Sequence, residues 1–163
     1  MNHKPYRFFL GANSSQGFVS FFENALEDDA IRQNFIFKGG PGCGKSTAMK
    51  QAAQEGLRRQ QPMEIIHCSS DPSSLDGVLF PEQGKALYDG TAPHTIDLPF
   101  PGAQGGYILP PPFLSEEELV QKADALQQVQ QKLSACYRQV FTLTAAAGQV
   151  ENRLHLLLSG ITD

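Results

Sequence analysis

An α/β fold, with a parallel sheet layered between helices and a long helical segment after it, is what this sequence predicts. Three observations point there. Short apolar runs alternate with segments of helical period through the first part of the chain, the order expected of a parallel sheet whose crossovers are helices. One of those runs passes straight into a glycine-rich loop and then into a helix. The last part carries an apolar stripe in steps of three and four, which a long helix presents on one side.

The elements follow in order. Tyr6 to Leu10 is aromatic and apolar, a candidate for one strand beyond the three that follow, and a loop runs from Gly11 to Ser15. Phe18, Phe21, Phe22, Ala25 and Leu26 have helical spacing, so a helix is expected over Phe18 to Leu26. Asn34 to Lys38 reads as a buried strand, Ser46 to Arg59 as a helix, Met63 to Cys68 as a second strand and Lys85 to Tyr88 as a third. Between Thr91 and Pro112, six prolines and several glycines predict one long loop. Ser115 and Glu118 have the spacing of a capping box and open the helical segment. Its stripe runs through Leu126, Val129, Leu133, Cys136 and Val140, then Leu143, Ala147, Val150, Leu154 and Leu157. One straight helix from Ser115 to Ser159 would be about 65 Å long, so either Gly148 breaks it or it protrudes and pairs with another copy. The expected domains are a core over 1–112 and a helical extension over 113–163, packed on the core or on a partner.

The bulk properties set limits. With 163 residues, 40% hydrophobic and 18% charged, the chain can bury one core. A net charge of -4 gives no basic footprint for nucleic acid. No apolar run approaches the ~20 residues of a membrane span, and no secretory signal pattern opens the chain. Cys43, Cys68 and Cys136 are too few and scattered for a disulfide framework. A cytoplasmic protein is the expectation.

Gly39-Gly40-Pro41-Gly42-Cys43-Gly44-Lys45-Ser46-Thr47 satisfies G-x-x-x-x-G-K-[ST], the P-loop pattern. Its glycines let successive N–H groups turn onto phosphate oxygens. The helix that follows offers free N–H groups and the positive end of its dipole. Lys45 supplies a mobile charge for the β- and γ-phosphates. Ser46 offers a hydroxyl to Mg²⁺, and Thr47 falls in the first turn, near the α-phosphate. The motif lies between a predicted strand and a predicted helix, the context it requires. Cys43 is either a small filler or a thiol open to oxidation. The expected fold is thus a three-layer P-loop NTPase core, with ATP and Mg²⁺ as ligands.

Such a site needs a carboxylate near the metal, at the end of a neighbouring strand. Asp89 closes Ala86-Leu87-Tyr88-Asp89 and is the candidate. Gly90 follows it where many ATPases place a Glu. The residue that orients water must come from elsewhere, and His94 is near enough in sequence to serve; a loop histidine bonded to backbone is the other reading. The segment His67 to Gly77 sits beyond the second strand, where α/β sheets bind ligands. Asp71 or Asp76 there could take a proton from an acceptor hydroxyl, or could serve a turn. A zinc site from His67, Cys68 and Asp71 is not favoured, because adjacent residues of a strand diverge.

Four blocks, Phe8 to Phe18, Lys38 to Thr47, His67 to Val78 and Asp89 to His94, together resemble the uncharacterised P-loop ATPase-like proteins of Gram-positive bacteria that carry tandem P-loop halves. The resemblance covers the chain to about Gly102; Gln104 to Leu114 departs from that pattern. It implies nucleotide binding by Gly39 to Thr47 and one site lined by Asp71, Asp76, Asp89 and His94. It names no substrate, and it implies a second, related half as a companion to this one. Three functions are consistent with these residues: a Mg-dependent ATPase or ATP-driven switch, which is favoured; a small-molecule kinase using Asp71 or Asp76 as base; and a non-catalytic nucleotide-binding module. The 126–157 stripe would serve self-association or the second half.

Overall fold

The computed structural model describes residues 4–110 and 115–161. The chain divides into two units, Met1–Ala12 with Ser20–Phe113, and Asn13–Val19 with Leu114–Asp163.

The first unit is built on a six-stranded sheet. Its strands are β1 (Tyr6–Phe8), β4 (Gln33–Phe37), β5 (Glu64–His67), β6 (Leu75–Phe80), β7 (Lys85–Asp89) and β8 (Gly105–Ile108). They lie in the order β1-β5-β6-β7-β4-β8. The β1/β5, β4/β7 and β4/β8 pairs are parallel; β6 is antiparallel to both its neighbours. The all-parallel sheet expected from sequence is therefore corrected to a mixed, mostly parallel one. The reason is chain length: residues 68–74 are too few for the dozen or more that a parallel crossover needs, so the chain turns back at once. A 3₁₀ turn at Pro81–Gln83 then reverses it again into β7.

The central strands of this sheet are covered on both faces, their successive residues pointing to opposite sides. Phe37, Ile65 and Val78 point to one face and pack with Met49 and Ala53 of helix α2 (Lys45–Arg58). Their sequence neighbours Ile36, Ile66 and Leu79 point to the other face, with Ala86 and Tyr88. That face is closed by Phe22 of the short helix α1 (Phe22–Leu26) and by Ile96 and Leu98 from an extended stretch. The second helical layer is thus thin, and coil completes it.

Three strands fall in segments that the sequence reads as loop, the first being Gly11–Ser14 in the loop expected over Gly11 to Ser15. β6 falls in the segment read as loop, and β8 interrupts the loop expected from Thr91 onward; Pro111, Pro112 and the expected boundary at 112/113 lie outside the described residues. The helix expected over Phe18 to Leu26 is also corrected. Its first half is strand β3 (Gly17–Ser20), paired with β2 (Gly11–Ser14) in a two-stranded sheet. Gly17 takes φ +98°, open to glycine and strained for other residues, and the Ser14 hydroxyl donates to its carbonyl at 2.8 Å. Only Phe22–Leu26 remains helical.

The second unit carries the helices α3 (Glu116–Gln121) and α4 (Ala123–Ser159). The capping box forms as its spacing predicts: the Ser115 hydroxyl accepts from Glu118 N–H, and the Glu118 carboxylate from Ser115 N–H. α4 has 37 residues, about 55 Å at 1.5 Å each. Gly148 does not break it; the interruption falls at Lys122. A Cβ on Gly148 would stand 2.8 Å from Ser15 Cβ, so the glycine admits the hairpin tip, which Thr144 Oγ1 also holds through Ser14 O at 3.1 Å. The apolar stripe lies off this contact and is exposed, with Leu143 and Val150 each 71% accessible. Among the described residues no helix is long and apolar enough to cross a membrane.

Candidate functional site

The parallel strands end on one edge of the sheet, and β6, running the other way, begins there. The glycine-rich loop follows β4 on that edge. Asp89 closes β7 beside it, in register with Phe37 at the end of β4. Asp76, near the start of β6, reaches the same edge from the opposite direction. The fold thus places β6, one of the strands that the sequence reading missed, at the centre of the site.

Loop geometry follows from its residues. Cys43 N–H reaches back to Gly40 O at 3.4 Å, with Pro41 and Gly42 (φ +79°) between them, the residue pattern of a type II turn. Gly44 takes φ +90° and serves as N-cap of α2. A Cβ on Gly39 would meet Cys43 Sγ at 2.8 Å, so the cysteine sulfur packs directly over that glycine. The loop leads onto a 14-residue helix, whose first N–H groups have no partners within the helix. Thr47 lies in that first turn and is exposed.

Lys45 is 7% accessible, and its ammonium is surrounded by acceptors. It donates to Gly39 O at 2.7 Å and Gly40 O at 2.9 Å, and stands 3.7 Å from both Asp89 Oδ2 and Cys43 Sγ. Asp89 Oδ1 is held from the other side by the Thr91 N–H and hydroxyl. Its free oxygen therefore faces the lysine. Ser46 Oγ accepts from Leu75 N–H at 2.9 Å, which ties α2 to the start of β6 and leaves a second lone pair on that oxygen.

His94 and Asp76 form a buried pair. They are 6% and 5% accessible, and His94 Nε2 lies 3.1 Å from Asp76 Oδ2. His94 Nδ1 lies 3.0 Å from the Asp89 carbonyl oxygen, and the ring stacks on Phe22 at 4.4 Å. A carbonyl and a carboxylate accept, so this arrangement favours the cationic imidazole, in which both ring nitrogens donate. The shift agrees in direction. Burial pulls the His94 pKa down, but the hydrogen bond and charge of Asp76, with the charge of Asp89, outweigh it and raise the value above 6.5. His94 thus takes the backbone-bonded reading; its nitrogens are occupied, and it does not present a base to solvent.

A pH dependence follows. A histidine whose pKa is higher folded than unfolded stabilises fully below the unfolded value and loses that contribution as pH rises through the folded one. As pH rises above the ordinary histidine value of 6.5, chemical unfolding should show falling stability. His94→Gln should flatten that slope while lowering stability at acid pH; an unchanged slope would remove the cation assignment.

Asp71 is placed differently. It is exposed, and its carboxylate accepts from Ser73 N–H at 3.0 Å and the Ser73 hydroxyl at 2.6 Å. Those bonds hold its pKa below the ordinary carboxylate range, the opposite of what a general base needs. The structure thus joins Lys45, Ser46, Asp89, Asp76 and His94 in one connected set and gives Asp71 to a surface turn. The nearby Cys68 thiol is pushed up chiefly by burial. His67 Nδ1 lies 2.7 Å from Pro72 O and its Nε2 3.1 Å from an Arg7 nitrogen, so its ring is engaged at both ends. Among the described residues no cluster of three or more histidine, cysteine or carboxylate side chains could hold a metal by itself.

Sequence reasoning missed Lys38. It follows β4 and its ammonium donates to Gly90 O at 3.1 Å and Ile96 O at 2.7 Å, pairs with Asp97 at 2.9 Å, and lies 5.5 Å from the Tyr107 ring centre. It pins the 90–97 stretch to β4. A lysine directly before the first loop glycine was the available signal. Comparison with protein-family models, with curated proteins and with solved structures finds no match to this chain.

Proposed function

We propose that this chain is a P-loop nucleotide-binding protein that takes Mg-ATP on Gly39 to Thr47 and hydrolyses it slowly, as a switch. The observation that carries the reading is the Asp89 carboxylate, 3.7 Å from the Lys45 ammonium at the end of the strand beside the loop. In this reading Gly39, Gly40, Pro41, Gly42, Cys43 and Gly44 wrap the phosphates. Lys45 leaves the loop carbonyls for the β- and γ-phosphates. Ser46 and Asp89 hold Mg²⁺, directly or through water. A metal that brings its own phosphate and water ligands needs only one or two protein oxygens, which fits the donors present.

Slow turnover follows from what surrounds the loop. Gly90 replaces the carboxylate that would polarise water, His94 is bonded at both nitrogens, and Asp76 is committed to His94. These bonds also weigh against Asp76 as the base of a kinase. The reading sets the protein in the cytoplasm, where Mg-ATP is held. Titration calorimetry with Mg-ATP, with phosphate release followed in the same sample, tests it. Micromolar to millimolar binding with slow release supports it, binding without release leaves a nucleotide-binding module, and release that needs an added acceptor makes it a kinase. No binding of either ATP or GTP sinks it.

The same proposal gives the open 126–157 seam to a second copy of the chain. Ten positions in strict alternating steps keep the 3.5-residue period of a coiled coil. With flanking positions they offer about 20 residues a side, the size of a standard stable interface. Sedimentation should show a dimer that Leu143→Asp, at an exposed seam position, dissociates; a wild-type monomer at high concentration would refute this.

A further inference from the structure

We infer that Asp76 and His94 are positioning residues for the metal: they tie together the two groups, Ser46 and Asp89, that hold it. This rests on the Mg-ATP reading above. The connection can be followed bond by bond. Ser46 Oγ accepts from Leu75 N–H at 2.9 Å. The next residue, Asp76, meets His94 Nε2 at 3.1 Å. His94 Nδ1 then donates to Asp89 O at 3.0 Å. A continuous brace therefore runs from the first turn of α2, through the start of β6, to the end of β7, and no part of it passes through the glycine loop.

The brace is rigid at each joint. Phe22, 0% accessible, lies flat against the imidazole at an interplanar angle of 22°, so the ring cannot swing without opening the core. Both its nitrogens are bonded to oxygens on different strands. Asp89 is fixed at its carbonyl by His94 and at Oδ1 by Thr91, which leaves Oδ2 in one direction. A buried carboxylate–imidazole pair is a poor source of stability, because desolvation offsets its attraction. Its worth here is orientation. Magnesium demands near-ideal octahedral geometry, and partners that orient metal-holding groups change affinity by about 10-fold to 100-fold when lost.

The test separates metal positioning from folding. ATP affinity is measured by calorimetry with excess EDTA and with Mg²⁺, on wild type, Asp76→Asn and His94→Gln, with melting recorded for each. Both variants are expected to bind metal-free ATP as wild type does and to lose about 10-fold or more of the gain that Mg²⁺ brings. If either variant fails to fold, Phe22→Leu, which frees the ring but keeps both of its hydrogen bonds, is expected to lose several-fold of the same gain. A variant that folds and keeps the full Mg²⁺ gain, or loses metal-free and Mg²⁺ binding equally, overturns the inference and leaves the nucleotide reading intact. Failure of wild type to bind ATP under either condition removes both.

Discussion

Lys45→Ala is expected to weaken Mg-ATP binding by about 100-fold or more. The ammonium is the only mobile cation of the loop, and charge-assisted hydrogen bonds contribute about 1.5–3 kcal/mol each. Losing two of them, at 1.4 kcal/mol per tenfold, gives at least that factor. Lys45→Arg should rescue little of it. The ammonium is enclosed by Gly39 O, Gly40 O and Asp89 at 7% accessibility, and a planar guanidinium does not fit where a compact charge does. Melting should change far less than binding, because Asp89 keeps its bonds to Thr91. Calorimetry on the three proteins decides the matter. Wild-type affinity in Lys45→Ala would remove the loop as the binding site.

Gly105→Ala is expected to be the most damaging single methyl in the first unit. Gly105 takes φ +123°, and a Cβ there would stand 1.8 Å from Asn34 O. The obstacle is backbone, on the strand that leads to the glycine loop, and cannot rotate away. Strain and overpacking together cost about 3 kcal/mol or more, roughly a 10 °C fall in Tm for a chain of this length. Gly102→Ala is the control. It shares a left-handed backbone, φ +89°, but meets nothing within 4 Å, so about 1 kcal/mol of conformational strain is all it should show. Thermal melts of the two variants should differ by several degrees, and equal melts would mean that β8 moves freely off β4.

The contrast between those positions also explains what sequence could and could not reveal. Gly39 to Thr47, helix α2 and the Ser115–Glu118 cap were legible because each is local: the residues that define it are neighbours in the chain. Asp89 was legible because it ends an apolar run. β8 was hidden, since Gly105 and Gly106 sit among prolines and read as loop, while the close approach of β4 is what requires glycine at Gly105. β6 was hidden for a related reason. Gly77 interrupts it where a Cβ would meet Ile66 Cδ1 at 2.7 Å, and burial on both faces removes the alternation that marks a strand. Leu75 with Val78, Leu79 and Phe80 was the remaining signal. The Phe18 to Leu26 spacing fits a helix by period, and Gly17 decided otherwise. The Asp76–His94 pair joins two segments that only folding brings together, and no spacing rule reaches that far.

The reversed strand β6 bears on how the molecule assembles. β5, β6 and β7 are consecutive in the chain and neighbours in the sheet, so their contacts close short loops. β4 lies between β7 and β8, both far along the chain, and its pairings close long ones. Loop closure makes distant pairings slow to form. The β5–β7 meander is then the natural nucleus and β4 a late arrival: substitutions in the meander should slow folding, and those in β4 should mainly hasten unfolding. The edge that holds Asp76 and Asp89 would exist before the strand that carries the glycine loop slots in beside it, so a ligand that bridges the two would act as a latch on the final step.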